Sequence, residues 1–537
     1  MTEAGRWLWD VRTPMRDGVA LSTDLHLPPG GPAGGPYPAV LIRTAANNQA
    51  PAYVTRARTL ADQGFAVAIQ DVRGREDADG VFAPFRDEGP DGYDSVEWLA
   101  EQDWCIGKVG MMGSGYAAWT QWAAAREKPP HLVTLASTSV WAPGRQSRSG
   151  MLSLPMLEWL HAMSARVWQE AGQVEWEKAL RHLPLRAADE AIGARLPNWH
   201  EWLDCNPAAA YWQHLDLTPE DFAGIDVPAL HVTGWQDADQ EAVLRYYAGM
   251  REHSPAAADQ SLVIGSEEVD RLHREWFQHW LVDADAAAAP QSGYRVTGSN
   301  AWRDGAWATS AAATETLHLH SQGAANTLDG NGTLSAEPAG GEPADRYSYD
   351  PNDPVIVSTD FTFFPSPPKQ PPQPSLDRRF IERRPDVLVY TSAGLADAMT
   401  LSGCPSLQLF VSSDRLDTDW LAQLSDVAPG GDSLLLATGG LRARHRTGLD
   451  TETFLEPGDV HEVTIELSGV AHAMQVGHRL RLSVMSSCFP LFDRNLNTGS
   501  PIGHDTVPLV AANAIHHDTA HPSRLTLPVG SSGDGDV

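Results

Sequence analysis

This 537-residue sequence has little of several features that would place it in a narrow class of proteins. Its cysteines are far apart and form no CxxC pair, so we expect reduced structural thiols at Cys105, Cys205, Cys404 and Cys488. No run of about 18 apolar residues occurs, and no membrane-spanning helix is expected. The N-terminus lacks the basic and apolar regions of a signal peptide, which predicts a cytoplasmic location.

Positive charge is also scarce. Lys and Arg total 39 against 69 Asp and Glu, which gives a net charge of −30. A surface this acidic repels nucleic acids and anionic membranes, so we expect neither as a partner. The sequence shows no G-x-G-x-x-G in a βαβ context, no P-loop and no HExxH, and it therefore predicts neither a cofactor nor a metal.

The first part of the chain alternates strand and helix signals. Residues 40–42 and 66–69 are short apolar runs bounded by turn residues, as buried parallel strands are. Residues 53–63 between them have a helical pattern that ends at Gly64. This βαβ pattern predicts a doubly wound α/β sheet.

A Gly-rich corner at 113–115 is the centre of this region. Residues 109–112 form an apolar strand, and residues 116–125 form an Ala- and Trp-rich helix. Strand, sharp turn and helix are the context of the nucleophile elbow in α/β-hydrolases. There, strained backbone lifts one side chain above the sheet, and the N–H of the next residue helps to bind an oxyanion.

The corner carries a specific resemblance through Val109-Gly110-Met111-Met112-Gly113-x-x-Tyr116 and then Thr120-Gln121-Trp122. This run resembles the elbow of the cocaine-esterase and X-prolyl-dipeptidase (CocE/NonD) family of serine hydrolases. In that family the residue before the tyrosine is the nucleophilic serine, but here it is Gly115. Ser114 stands one place earlier, where a one-residue shift aims it away from the apex. The resemblance leaves the backbone N–H of Tyr116 as an oxyanion donor.

The resemblance also implies a second oxyanion donor, a tyrosine just after the strand at 40–43. Ala46 falls at that position. Asn47 or Asn48 would offer side-chain amides instead, although a loop asparagine is more often a turn former.

Of the three triad residues, only the aspartate is kept, because the histidine is missing as well as the serine. In Gly234-Trp235-Gln236-Asp237, Asp237 occupies the place of the family's triad aspartate. The loop that should carry the catalytic histidine has none, and Val269 falls at its position. We interpret His273 as structural.

Without an imidazole, Asp237 either pairs with another group, such as Arg271, or is poorly solvated and serves as a general acid or base. Glu267, Glu268 and Asp270 in the rebuilt loop are alternative carboxylates, although surface solvation is the simpler explanation for all three.

The stretch from about 145 to 221 resembles the helical cap that the family inserts over its active site. It carries many indole rings, namely Trp159, Trp168, Trp176, Trp199, Trp202 and Trp212. Each one taken singly is expected to pack in the cap core. Together, some should line an apolar pocket, for which Trp159, Trp168 and Trp235 are our candidates, with Glu267 at its edge.

The predicted architecture is an α/β-hydrolase sheet with a helical cap and a C-terminal β jelly roll. Its predicted parts are the hydrolase core at 1–144 and 222–292, the cap at 145–221 and the jelly roll at 293–537. The jelly roll rests on short strands with frequent turns and on a resemblance of Tyr347–Val355 and Ser486–Gly499 to the family.

Three functions remain open. The first, which we favour, is non-hydrolytic acid/base chemistry (cyclisation, elimination, isomerisation or decarboxylation) on a small hydrophobic molecule of the natural-product type, as in secondary metabolism. The second is hydrolysis of esters or amides with Ser114 or an Asp237-activated water as the nucleophile. The third is a non-catalytic protein that binds a ligand or partner. A homodimer is compatible with each of them.

Overall fold

The computed structural model describes residues 6–144, 147–205, 210–283, 288–308, 313–358, 361–364 and 377–530. Its first part alternates strands and helices as the sequence predicts. The strands are β1 (Trp7–Pro14), β2 (Ala20–His26), β3 (Tyr37–Thr44), β4 (Ala66–Asp71), β5 (Cys105–Gly115) and β6 (Leu132–Val140). The helices are α1 (Pro51–Ala61), α2 (Glu88–Ala100) and α3 (Tyr116–Arg126).

The cap follows β6 and consists of a small hairpin and short helices. The hairpin is β7 (Ser147–Arg148) and β8 (Met151–Leu152). The helices are α4 (Pro155–Ala162), α5 (Trp176–Leu180), α6 (Ala188–Ala191), α7 (Pro197–Asp204), α8 (Ala210–Leu215) and α9 (Pro219–Gly224). Prolines begin α4, α7 and α9, where a missing N–H costs no intrahelical bond.

The sheet resumes after the cap with β9 (Ala229–Thr233), α10 (Gln240–His253), β10 (Gln260–Ile264), α11 (Val269–Phe277), β11 (Gly293–Val296) and β12 (Ala301–Asp304). Its ten strands have the order β1-β2-β4-β3-β5-β6-β9-β10-β11-β12, and the strands from β4 to β11 are parallel. The predicted boundary at 292/293 assigned β11 and β12 to the C-terminal domain. Both instead extend the first sheet, since β11 pairs with β10.

The two faces of this sheet have separate cores, because successive side chains of a strand point to opposite faces. Helices α2, α3 and α10 and the cap cover one face, the α3 face. Helices α1 and α11 cover the other, the α11 face. Within β5, Met111 belongs to the α3-face core and Met112 to the α11-face core.

The C-terminal domain is built from β-strands, as predicted. They are β13 (Ala313–His320), β14 (Thr333–Ser335), β15 (Asp345–Tyr349), β16 (Leu388–Ser392), β17 (Met399–Gly403), β18 (Ser406–Ser413), β19 (Asp419–Val427), β20 (Ser433–Arg442), β21 (His461–Glu466), β22 (Val470–Met474), β23 (Arg479–Met485), β24 (Ala511–His516) and β25 (Arg524–Val529). One short helix, α12 (Arg379–Glu382), joins β15 to β16. Alternating apolar side chains of these strands form a second core.

The two domains contact each other through hydrogen bonds from α4 and α10. The Glu158 carboxylate of α4 accepts the N–H groups of Phe363 (2.5 Å) and Phe364 (2.8 Å), which come from the C-terminal domain. The side chain of Gln240 on α10 exchanges two hydrogen bonds with the backbone of Gly469. Among the described residues, no helix combines the length and the apolar character needed to cross a bilayer.

Candidate functional site

The corner between β5 and α3 has the backbone of a nucleophile elbow. Gly115 has φ 63° and ψ −123° and directly precedes α3. Few non-glycine residues tolerate such a positive φ without strain. A Cβ on Gly115 would meet no atom within 4 Å, whereas a Cβ on Gly113 would lie 2.5 Å from the Ala117 carbonyl oxygen. Glycine is therefore required at 113 by close packing, and the space over 115 is open.

Tyr116 contributes its backbone rather than its phenol to this corner. Its hydroxyl donates to the buried Glu88 carboxylate and accepts the Phe85 N–H at 2.9 Å. Burial raises the pKa of Glu88 to about 7 and raises the pKa of the Tyr116 phenol well above its usual value. The phenol is thus fully engaged. The Tyr116 N–H is the first amide of the 11-residue helix α3, at the end where helices favour negative charge.

Ser114 faces away from this corner. Two residues after Met112, it has the same strand parity and therefore points to the α11 face. Its register partner Thr138 on β6 also faces α11, where its hydroxyl contacts His273. Thr233 has the parity of the α3 face, since its neighbour Val232 belongs to the α11-face core. Ser114 and Thr233 therefore face opposite sides of the sheet. Because Thr233 donates a hydrogen bond to Asp237, the structure does not bring Ser114 and Asp237 together.

Asp237 keeps its predicted place, but it has neither an imidazole nor Arg271 among its partners in the described chain. One carboxylate oxygen accepts the Ser139 hydroxyl and the Thr233 hydroxyl, the latter at 3.1 Å. The other accepts the Asp239 N–H at 3.0 Å. Arg271, the candidate partner named for Asp237, does not pair with it, because this exposed guanidinium bonds Glu268 and Glu275 at and within α11.

The loop after β3 is tied to its surroundings. The Ala46 N–H donates to the Thr44 hydroxyl at 3.0 Å. The Asn47 side chain contacts Glu76 at 3.5 Å and accepts the Gln49 N–H at 2.7 Å, which is a turn-forming role. Among the described residues, the buried Asn48 side-chain amide donates to no partner.

The Asn48 backbone N–H donates to the buried Asp71 carboxylate at the end of β4. Burial raises the pKa of Asp71 to about 8. Two asparagines could replace the missing tyrosine as a donor. Among the described residues, the Asn47 side chain is hydrogen-bonded, whereas the Asn48 side-chain NH₂ group donates to no partner. The Asn48 side chain is buried in this structure.

The rebuilt loop after β10 presents its carboxylates to solvent. Glu267 and Glu268 are exposed, and Asp270 pairs with Arg56 of α1. Val269 begins α11, so the chain is helical where the resemblance places a catalytic histidine. His273 lies one turn further on, where it is buried and its Nε2 lies 3.1 Å from the Thr138 hydroxyl. This placement agrees with a structural role.

We predict that His273 makes the protein acid-sensitive. Burial lowers the pKa of His273 from 6.5 to about 3. Between about pH 6.5 and pH 3, the unfolded chain therefore binds a proton at His273 that the native protein does not bind. The native protein loses stability as the pH falls through this range. Each such histidine costs about 1.4 kcal/mol per pH unit.

The variant His273→Gln should show a shallower pH dependence in urea unfolding between about pH 4 and 6.5. His231, whose pKa burial lowers to about 4, provides a second titrating site that the variant retains. A slope identical to that of the unmodified protein would contradict this account of His273.

The cap tryptophans form a packed aromatic cluster over Tyr116. The Trp159 ring centroid lies 4.5 Å from that of Trp141, 5.6 Å from that of Tyr116 and 6.3 Å from that of Trp202. Phe364 stacks on Trp141 from the C-terminal domain. Trp159 and Trp202 are each only 3% exposed, so their rings serve the core that joins cap to sheet.

The other two candidate pocket rings lie elsewhere. The Trp235 indole N–H donates to the Arg295 carbonyl at 2.6 Å, and its ring packs against Trp307, at the β11 side of the sheet. Trp168 is half-buried in the cap, where its backbone N–H donates to the Glu76 carboxylate. Neither ring is among the aromatic contacts of Tyr116.

Sequence reasoning missed two residues of the site, Ser139 and Thr233. Thr233 ends β9 and Ser139 is the penultimate residue of β6, so both lie at the carboxyl edge of the sheet, which is where ligands bind in open α/β sheets. That position was the only available signal, since an isolated hydroxyl has no motif.

A possible metal site lies in the other domain. Among the described residues, one group could supply three ligands at the end of β24, namely His516, Asp518 and His521. The Asp518 carboxylate already contacts the His521 ring at 3.1 Å.

We predict that Gly115→Ser folds but does not create an esterase. The open space accommodates the side chain, and the positive φ costs about 1–3 kcal/mol. A hydroxyl alone contributes little, because triad members act as a unit and no imidazole in the described part of the chain bonds Asp237. Hydrolysis of p-nitrophenyl butyrate should not rise above the level of the unmodified protein.

The matched steric control is Gly113→Ser, which should unfold the corner. Strong ester hydrolysis by Gly115→Ser would show that a histidine reaches the elbow, with His273 the first suspect.

Together, the parallel sheet, elbow, cap and all-β domain define an α/β-hydrolase-fold protein of the capped, two-domain type. A family model described as X-Pro dipeptidyl-peptidase (S15 family) matches residues 17–268. A model of the X-Pro dipeptidyl-peptidase C-terminal non-catalytic domain matches residues 285–526. The chain is 32% identical over 569 residues to a cocaine esterase of Rhodococcus sp. (strain MB1 Bresler), which covers 97% of this chain and 98% of that protein. The chain belongs to the cocaine-esterase and X-prolyl-dipeptidase family.

Solved structures agree with this assignment. An α-amino acid ester hydrolase superposes with a TM-score of 0.85 at 25% identity and covers 98% of each chain. An aminopeptidase from a marine sediment Thaumarchaeota archaeon, at 23% identity, has a TM-score of 0.86 over 99% of this chain and 97% of that one, which shows the shared fold. The predicted fold class and family resemblance are confirmed.

Proposed function

We propose that this protein does not form an acyl-enzyme at residue 115 of its elbow and instead uses Asp237 as a general base. Its substrate is a small apolar carbonyl compound, and the chemistry is non-hydrolytic: cyclisation, elimination, isomerisation or decarboxylation. The observation that carries this proposal is the environment of Asp237, whose carboxylate is held by hydroxyls and one amide beside an open elbow.

The elbow supports this proposal through what it keeps. A substrate oxygen that gains negative charge when a neighbouring proton is removed needs a preformed donor. The Tyr116 N–H at the start of α3 is such a donor, and Gly115 leaves space beside it. No oxygen nucleophile exists at 115, so the space is available to the substrate itself.

The cap supports an apolar ligand. Aromatic side chains, among them Phe85 and Trp159, surround Tyr116, whose hydroxyl donates to the buried Glu88 carboxylate. Removal of a carbon-bound proton benefits from such surroundings, because charge interactions strengthen where water is excluded.

Hydrolysis by an unusual nucleophile is the second candidate. The relatives named above are an esterase, an ester hydrolase and a peptidase family, all of which cleave acyl bonds. Of the two nucleophiles considered, Ser114 faces α11, and a water activated by Asp237 is the better supported. A non-catalytic binding protein is the third candidate. Catalytic turnover of any substrate would exclude it and leave the other two.

The ring opening of 5-nitrobenzisoxazole tests for the base directly. In this reaction a base removes a carbon-bound proton, the N–O bond breaks and a coloured phenolate forms, with no nucleophile or cofactor required. The full-length protein should accelerate it beyond an equal concentration of acetate at the same pH. A rate no greater than that of acetate would favour the non-catalytic candidate.

A further inference from the structure

Ser139 occupies the position between the elbow and Asp237. In the sheet, β6 lies between β5, which ends at Gly115, and β9, which leads to Asp237. Ser139 is the penultimate residue of β6, and its hydroxyl donates to Asp237. The end of β6 is also hydrogen-bonded to the elbow, because the backbone N–H of Trp141, the residue after β6, donates to the Gly115 carbonyl at 3.1 Å.

The backbone at Ser139 is strained. Ser114 pairs with Thr138 and Gly115 pairs with Val140, so Ser139 is the extra residue of a β-bulge. Its φ is 47°, in the left-handed region that a serine enters only with strain. Bulges and strained residues beside a sheet edge redirect a side chain, and such positions are frequent at functional sites.

The hydrogen bonding of Ser139 is that of an activated nucleophile. Its hydroxyl proton points to the Asp237 carboxylate, and within the described chain no group donates to its oxygen, so both lone pairs are available. The carboxylate is itself oriented by the Thr233 hydroxyl and the Asp239 N–H. Nucleophile, base and an orienter of the base are the three parts that nucleophilic catalysis requires.

We propose that Ser139 is a relocated nucleophile that forms a covalent bond to acyl or phosphonyl groups, with Asp237 as its base. With an ester, the Ser139 oxygen bonds to the carbonyl carbon while its proton passes to Asp237. The negative oxygen lies at the Tyr116 N–H. The bond to the leaving alkoxide then breaks, and that alkoxide takes the proton from Asp237, which leaves an acyl-Ser139 ester and a free alcohol.

This inference goes beyond the proposed acid/base chemistry, because it gives the same base a covalent role. It explains two features together: why the elbow tolerates glycine, and why Asp237 is stable without an imidazole. An aspartate is a weaker base than histidine, so we expect slow acylation of esters and a clearer signal from a reactive phosphonylating probe.

A fluorophosphonate probe tests the proposal on the full chain. The phosphorus bonds to the serine oxygen and fluoride leaves, and peptide mapping by mass spectrometry locates the label. We expect the label on the peptide that contains Ser139. Ser139→Ala should abolish labelling, Ser114→Ala should label at the rate of the unmodified protein, and Asp237→Asn should slow labelling by about 10²-fold.

Because alanine at φ 47° is strained, Ser139→Gly is the second variant, since it relieves the strain and also lacks the nucleophile. It should keep the melting temperature and lose the label. A label on Ser114 or on any other residue, a complete absence of label, or labelling of Ser139 that Asp237→Asn does not slow would each overturn the proposal.

The two proposals fail separately. An unlabelled protein that still opens 5-nitrobenzisoxazole would overturn the nucleophile and leave the proposed function standing. A protein labelled at Ser139 that does not open the ring would overturn the proposed function alone.

Discussion

Replacing Asp237 by asparagine is expected to slow the ring opening of 5-nitrobenzisoxazole by about 10²- to 10⁴-fold, the usual contribution of one positioned acid or base. Asparagine keeps the shape of the side chain but cannot accept the proton. The fold should survive. The Ser139 and Thr233 hydroxyls that now donate to the carboxylate can rotate and accept from the amide instead.

Both the rate and the melting temperature of Asp237→Asn should be measured. The matched control is Glu252→Gln on α10, whose side chain is 75% exposed and lies on the helix that follows Asp237. The control should keep the rate. If Asp237→Asn also keeps the rate and changes only the melting temperature, Asp237 is an inherited structural group rather than the base.

Replacing Trp159 by alanine is expected to destabilise the protein by about 3–5 kcal/mol. This indole is 3% exposed and touches rings from the cap, from α3 and from Trp141 just after β6, so its loss leaves a cavity that rigid neighbours cannot fill. Urea unfolding measures the change. Trp9→Ala, at a side chain that is 50% exposed, is the control and should cost about 1 kcal/mol or less.

This experiment also distinguishes the two roles considered for the cap tryptophans. A core ring loses stability when removed, whereas a ring that only contacts ligand loses affinity or rate. Unchanged stability with lost activity in Trp159→Ala would contradict the packing described here and return Trp159 to the pocket.

Much of the fold could be predicted because its signals are local. Apolar runs at 40–42 and 66–69 became β3 and β4, and the short C-terminal runs became strands of the all-β domain. The strands β11 and β12 could not be placed. Each is only four residues long. They belong to the first sheet because β11 pairs in parallel with β10, from which helix α11 separates it in the sequence.

The arrangement of the elbow is a property of the chain itself. Gly113 and Gly115, set between an apolar strand and an Ala-rich helix, allow a close approach and a positive φ that other residues resist. The absence of a hydroxyl at 115 and of a histidine at 266–271 can be read from the amino acids alone. So can the position of Asp237 after its strand.

The partners of these groups depend on the folded molecule. Ser139 is 98 residues from Asp237 in the chain, and a β-bulge turns its hydroxyl towards the carboxylate. The parity of β5 turns Ser114 to the α11 face, and packing closes the cap tryptophans into a core. Local backbone preferences determine a corner, but which hydroxyl meets which carboxylate depends on strand order and register, which long-range packing sets.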